Sequence, residues 1–305
     1  MLKDNKIKIL ELLDKMKKGL LSKEEYKELQ KLLLENEILF RDNRTDSIPY
    51  PTCKTEITGD KIMFVADTHH GNRQFENKSF TDYAYNTALR ENIKTVIHVG
   101  DLIESTTAPE HWNESYNNQI VKVRLELEKA LEAIPNELQI KLLLGNHDYT
   151  TVKRYLQLIP YYIESQKIDV LGMQSVLLNW DNYAKINLEH FIPQLKSLPL
   201  EEWQKLVEEA TITLEGHHHY YSYKEDFKSL YLPSLSNAIF SLQESQYFST
   251  RGFKNFYPFF VVATKQTETS LIFEAYCIDK ENRYSPTKGD TLEINPKTKK
   301  LTIYK

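Results

Sequence analysis

Hydrophobic residues recur along this chain with two different periods. In the first forty residues the period is helical: Ile7, Leu10, Leu13 and Met16 fall on one side of a helix. Gly19 is placed to stop that helix. Ser22 then opens Ser-Lys-Glu-Glu with Glu25 three residues on, a capping-box signature. Tyr26, Leu29, Leu32 and Leu33 give the second helix an apolar face. Residues 1–40 are therefore predicted to form a helical hairpin. Its apolar faces need a cover, either the chain's own domain or an oligomer or partner docked on the hairpin. Residues 41–58, with a polar run and then Pro49 and Pro51, read as a linker.

From residue 59 the pattern changes. Short apolar runs at Lys61–Ala66, Thr95–Val99 and Ile140–Leu144 each stop at polar residues, with helical stretches at about 78–91 and 115–134 between them. Strands that alternate with helices imply an α/β architecture with parallel pairing. The second half is richer in strand. Ala184–Leu188 and Thr211–Leu214 flank a helix at about 199–209, and further strands are expected near 228–232, 258–264, 270–278, 290–294 and 300–304. Residues 59–305 are predicted to be one domain.

Composition narrows the setting. At 305 residues the chain has room for one large domain and an appendage. Hydrophobic residues make up 41% and charged residues 27%, the balance of a soluble globular protein. A net charge of −4 excludes a chain coated with positive charge, although a local basic groove stays compatible with it. Two cysteines, Cys53 and Cys277, form no disulfide framework and no Cys-x-x-Cys metal pattern, which points to a reducing, cytoplasmic setting. The N-terminus lacks a signal-peptide apolar core. No apolar run approaches the roughly 20 residues that cross a bilayer, so no membrane association is expected.

The candidate chemistry lies where the apolar runs stop. Five of them end in Asp67-Thr68-His69, Gly100-Asp101, Gly145-Asn146-His147-Asp148, His190 and Gly216-His217-His218-His219. In α/β sheets, sites form beyond the carboxyl ends of strands, so residues distant in sequence converge there. Carboxylate, imidazole and amide ligands suit Mn²⁺, Fe²⁺ or Zn²⁺. A carboxylate shared between two such ions holds them about 3.5–4 Å apart, as two-metal phosphoryl transfer requires.

In this order the five motifs resemble those of the calcineurin-like metallophosphoesterase superfamily, over about 59–220 and the strands that follow. The resemblance implies a four-layer fold, two stacked mixed β-sheets flanked by helices. It implies two divalent metal ions, Mn²⁺ foremost. Asp67, His69, Asp101 and His219 would hold one; Asp101, Asn146, His190 and His217 would hold the other, with Asp101 bridging. His147 would stand beside the substrate phosphate as a catalytic group, and Asp148 would orient His147 or a neighbouring loop. The reaction implied is phosphoester hydrolysis by a hydroxide bridging the metals.

Motif detail points to a branch. Asp67-Thr68-His69-His70-Gly71, followed by Asn72-Arg73-Gln74-Phe75, is similar to the DNA nucleases of the SbcD type. Gly100-Asp101-Leu102-Ile103-Glu104-Ser105 lacks the arginine that protein phosphatases of the superfamily carry there. The nuclease branch implies DNA as substrate, Mn²⁺, and an ATPase partner. A phosphodiesterase or phosphatase acting on cyclic or other small nucleotides is the alternative, with a non-catalytic scaffold behind it. The segment Leu232-Pro233-Ser234-Leu235-Ser236 stands where many relatives have a Pro-Gly-Ser turn.

The remaining candidates are less directed. His70 either reaches a bound phosphate or faces solvent. His111 and Trp112 either stack on a base or sugar or pack on the surface. The aromatic run from Phe248 to Phe260 is read as substrate wall, dimer surface or packing. His98 reads as a core histidine, and His218 is expected to point away from its neighbours His217 and His219.

Overall fold

The computed structural model describes residues 2–17, 20, 22–35, 53–71, 76, 78–104, 116–154, 158–163, 165–192, 200–219, 221–224, 228–235, 256–279 and 286–304. Among the described residues the strands are β1 (Cys53–Ile57), β2 (Lys61–Val65), β3 (Thr95–Val99), β4 (Gln139–Leu144), β5 (Ile168–Met173), β6 (Ser175–Trp180), β7 (Ala184–Glu189), β8 (Ile212–Glu215), β9 (Ser222–Lys224), β10 (Ser229–Tyr231), β11 (Phe256–Thr267), β12 (Ser270–Asp279), β13 (Pro286–Ile294) and β14 (Leu301–Tyr304). They form two mixed sheets. The larger has the order β14-β13-β12-β11-β2-β3-β4-β5, and the smaller β1-β6-β7-β8-β10-β9.

The strands that the sequence marks as unbroken apolar runs are those buried on both faces. Successive side chains of a strand point to opposite sides. Ile62, Phe64, Ile97, Val99 and Leu143 accordingly meet Val176, Leu178, Ile186, Leu188, Ile212 and Leu214 of the smaller sheet. Met63, Val65, Val96, Ile140, Leu142 and Leu144 point the other way, to Phe80, Ala84, Tyr85, Val123 and Leu127 on the helices Lys78–Arg90 and Tyr116–Ala133. Two-sided burial removes the alternation that a half-exposed strand would show. On the outer side of the smaller sheet, the helix Leu200–Glu209 reaches β7 through Trp203 Nε1 to Glu189 and Lys185 Nζ to Glu209. The two stacked mixed sheets and their flanking helices are the architecture that the resemblance implies. No helix among the described residues is long and apolar enough to cross a membrane.

The N-terminal helices span Leu2–Lys17 and Lys23–Glu35. The Glu25 amide donates to Ser22 Oγ at 3.1 Å, and the Ser22 amide to the Glu25 carboxylate at 3.0 Å, which makes the capping box. The buried face of the first helix is shifted from the expected one, which it shares at Leu13 and, partly buried, at Leu10. Ile7 is 71% exposed, while Ile9, Leu12 and Leu13 are buried with Leu29 in the same core as the helices on the larger sheet. Residues 7, 10, 13 and 16 follow a strict period of three, which drifts off a 3.6-residue helix; Ile9, Leu12 and Leu13 hold to it.

Other expectations also shift. Cys53–Ile57, inside the stretch read as linker, is a strand paired in parallel with β6, from Cys53 opposite Val176 to Ile57 opposite Trp180. It is short and polar at an edge, so no apolar run marks it. β5 and β6 and the helices Asn146–Arg154 and Ile159–Ile163 were not expected either.

Candidate metal centre

Every strand end singled out above lies at one rim, where the two sheets meet. Asp67 and His69 follow β2, Asp101 follows β3 and Asn146 follows β4 of the larger sheet. His190 follows β7, and His217 and His219 follow β8, of the smaller one. Backbone hydrogen bonds lace these loops together. The Asp67 amide donates to Gly100 O at 3.0 Å, His69 to Asp101 O at 3.1 Å, and Glu104 to His70 O at 2.8 Å. From the smaller sheet, the Gly216 amide donates to Glu189 O at 2.9 Å.

The backbone at this rim is strained. Asp67 (φ 54°), His69 (47°), Asp101 (57°), His217 (74°) and His219 (57°) all adopt the left-handed conformation. Each such residue without glycine's freedom costs on the order of 1 kcal/mol or more, and such residues gather at functional sites. The glycines of the motifs give room for close approach. A Cβ on Gly100, itself at φ +86°, would land on the His190 ring, and one on Gly145 would land on the Asp101 carboxylate.

The side chains assemble into two adjoining groups. Asp67, His69 and His219 bring one candidate ligand atom each within 4.8 Å of one another, and Asp101, His190 and His217 do the same. In the first group His69 Nε2 faces His219 Nε2 at 3.2 Å, and Asp67 Oδ1 lies 3.4 Å from His219 Nε2. In the second, Asn146 Oδ1 stands between His190 Nε2 at 3.1 Å and His217 Nδ1 at 2.9 Å. Asp101 Oδ2 lies 3.2 Å from His190 Nε2 and 3.9 Å from His69 Nε2, so it touches both groups.

The donor set fits divalent cations. Val99 O only accepts, so His190 donates Nδ1–H to it at 2.8 Å; this turns Nε2 toward Asn146 and Asp101, the arrangement of a metal-binding imidazole. The helix Asn146–Arg154 starts at the site, and its His147 amide donates to Asp101 Oδ1 at 2.8 Å. Burial pushes the Asp101 carboxyl up, but His190, His147 and His69 outweigh it and hold it well below the usual carboxylate range. Asp67 is likewise lowered against its burial by His219 and His190. Burial depresses His190, and Asp101 and Asp67 more than restore it, to about 9. Burial and the neighbouring His190 bring His217 down to about 4. A cation bound here would take the place of the proton that Asp101 and Asp67 hold on His190.

A third group was not foreseen. Glu104 is buried, with Oε1 at 2.7 Å from His147 Nδ1 and Oε2 at 3.2 Å from His69 Nδ1. Burial opposes a charge on His147, yet Glu104 and Asp101 raise it to about 9. The signal was a carboxylate three residues after Asp101, but nothing in the sequence told it from a surface glutamate. Ser234 was also missed: its Oγ donates to Asp67 O at 2.8 Å, and Leu235 N donates to Ala66 O, so the segment without the expected glycine still braces the first loop.

Asp148 is fully buried. It accepts from the amides of Gly145 (3.1 Å), Leu102 (3.1 Å) and Ile103 (3.3 Å) and from the Tyr162 hydroxyl (3.4 Å). It thus pins the loops that carry Asp101 and Asn146. His70, read as either a phosphate contact or a solvent-facing residue, is buried with Nδ1 3.1 Å from Glu76 Oε1, so the solvent-facing alternative does not hold. His98 is a core residue bonded to Thr68 Oγ1 at 3.0 Å. His218 turns to Glu215 at 3.5 Å and stacks on Tyr231. His111, Trp112, Ser236 and the aromatic run from 248 to 255 lie outside the described residues.

The family model of the calcineurin-like phosphoesterases matches residues 60–250. The chain belongs to this family. It is a hydrolase of phosphoester bonds, and its family works with divalent metals. Solved structures give remote likenesses to this phosphoesterase. A predicted phosphoesterase from Streptococcus pneumoniae is 14% identical over 75% of this chain and 97% of its own, with a TM-score of 0.37. A nuclease from Pseudomonas putida is 18% identical over 58% and 75%, TM-score 0.31. A dimetal phosphatase from Danio rerio is 9% identical over 75% and 98%, TM-score 0.39. No curated protein matches the chain.

Proposed function

We propose that the chain is a phosphodiesterase working with two divalent ions, Mn²⁺ foremost. Asp67, His69, Asp101 and His219 would hold one ion, and Asp101, Asn146, His190 and His217 the other. The observation that carries this reading is Asp101, whose Oδ2 lies within 4 Å of imidazole nitrogens from both groups. When bound, the ions supply activation of water and neutralisation of charge on the phosphoryl oxygens. The protein's own residues do the rest. The left-handed strand ends hold the ligands without reorganisation, and Asp148 keeps the two loops in register. His147, raised to about 9 with Glu104 on its Nδ1, retains a proton at Nε2 for the departing oxygen.

The loop from Gly100 to Ser105 lacks an arginine for the extra charge of a phosphomonoester, which favours a diester. Within diesters we propose DNA, cleaved in the manner of SbcD-type nucleases together with an ATPase partner. The net charge of −4 favours a second reading, a small nucleotide diester, because it does not suit a large DNA footprint. The purified protein is expected to hydrolyse bis(p-nitrophenyl) phosphate with Mn²⁺ and to lose this activity in EDTA. Asp101→Asn is expected to abolish turnover and weaken binding of both ions in calorimetric titration. Absence of turnover with Mn²⁺, Fe²⁺, Co²⁺, Ni²⁺ and Zn²⁺ alike would refute the assignment. Linear DNA, cyclic nucleotides and mononucleotides compared under Mn²⁺ separate the two substrates.

A further inference from the structure

Phe191 stands in an unusual place for an exposed aromatic. The residues on either side, His190 and Ile192, are buried, yet Phe191 is 49% exposed. Its ring sits 5.6 Å from that of His217 at 64°, an edge-to-face contact with one of the candidate ligands. From His217 an aromatic row continues the other way. His218 is 5.7 Å from His217, Tyr231 stacks on His218 at 4.3 Å, and Lys224 Nζ lies 5.9 Å from the Tyr231 ring. His217 thus meets rings edge-on from both Phe191 and His218, while His218 and Tyr231 stack on each other; of these aromatic rings Phe191 is the one that stands out as exposed. A half-exposed phenyl ring gains little from burial and makes no hydrogen bond, so what it offers is an apolar face for a flat group. A phosphate held at His217 places whatever is esterified to it next to that face.

Resting on the phosphodiesterase reading, we propose that Phe191 is the stacking platform for a nucleobase carried on the scissile phosphate, and that the substrate is therefore a nucleoside phosphodiester. Base stacking on an aromatic side chain is tolerant of sequence, because every base has a π face.

The test compares two esters with the same leaving group, thymidine 5′-(p-nitrophenyl phosphate) and methyl p-nitrophenyl phosphate, under Mn²⁺. The readout is the ratio of their kcat/KM values, which isolates the base from the metal chemistry. Phe191→Ala is expected to lower that ratio at least about fivefold, equivalent to about 1 kcal/mol of lost stacking. Phe191→Trp is expected to restore it, whereas Phe191→Leu is not. An unchanged ratio in Phe191→Ala would overturn the proposal while leaving the phosphodiesterase reading in place. Failure of the unsubstituted protein to cleave either ester would overturn that reading and this one with it. A strand and a free nucleotide diester both present such a base, and an oligothymidylate arm separates them. A greater Phe191→Ala loss on the oligomer than on the thymidine ester assigns the contact to a strand, and equal losses assign it to a single nucleotide.

Discussion

Replacing Glu104 by glutamine tests whether the unforeseen carboxylate matters to the site. Its two oxygens serve two different imidazoles, His147 Nδ1 at 2.7 Å and His69 Nδ1 at 3.2 Å. Glutamine keeps the shape but has one acceptor oxygen and an NH₂ group. If the NH₂ turns to His147, that ring's N–H meets a donor; if it turns to His69, the charged approach at 3.2 Å is lost, and either way the carboxylate charge beside both rings is gone. If His69 loses its anchor, a buried ring beside Asp67 is left to reorient; if His147 does, it loses the partner that holds its proton. A hydrogen bond to a charged group is worth about 1.5–3 kcal/mol, or about tenfold to a hundredfold. Removing the outer partner of a metal-binding histidine commonly costs a similar factor in affinity or activity. Glu104→Gln is therefore expected to lower kcat at saturating Mn²⁺ by about 10–100-fold and to weaken the calorimetric affinity for Mn²⁺, with little change in the thermal unfolding midpoint. Glu104→Asp keeps the charge with a shorter reach and is expected to fall between. If Glu104→Gln stays within about twofold of the parent in both kcat and affinity, the two contacts are incidental.

Two further predictions follow from burial. His98 donates Nε2–H to Thr68 Oγ1, whose own hydrogen goes to Leu102 O at 2.8 Å, and its Nδ1 is buried without a partner. Burial lowers His98 to about 3. The folded protein therefore binds this proton less readily than the unfolded chain, whose histidine titrates near 6.5, and the stability it contributes is lost as pH falls from about 6.5 toward 3. Between pH 7.5 and 5.5 the loss is about 1.4 kcal/mol. Urea unfolding in EDTA should show that slope reduced by this amount in His98→Gln; an equal slope would show that His98 is not the buried neutral group. In the hairpin, Leu12 is buried in the core shared with the helices on the larger sheet, so Leu12→Ala is expected to cost about 2–5 kcal/mol by urea unfolding. A change below about 0.5 kcal/mol, the range of ordinary surface substitutions, would mean that the hairpin does not complete that core.

The strand-end residues were legible for a physical reason. A divalent cation accepts few residue types, and a parallel sheet delivers them at few places, so Asp67, Asp101, Asn146, His190 and His217 each stood where an apolar run stopped. His190, marked in the sequence only by such a position, lies at 3.2 Å from Asp101. The residues that brace this rim had no such signature. Glu104, Ser234 and the pair Thr68–His98 act through neighbours 30 or more residues away in sequence. Many residue types could fill each of those places, so no spacing marks them. The same holds for elements. Strands buried on both faces announced themselves, whereas β1, polar and at a sheet edge, is defined by its partner β6. The left-handed backbone joins the two scales. Asp67, His69, Asp101, His217 and His219 keep a conformation that their own side chains disfavour, so it must be imposed by the lacing of loops from both sheets. It follows that the donor set is only as well formed as the contact between the sheets. Substitutions that loosen the Val99–Leu188–Leu214 core beneath the rim should weaken metal binding before they unfold the domain.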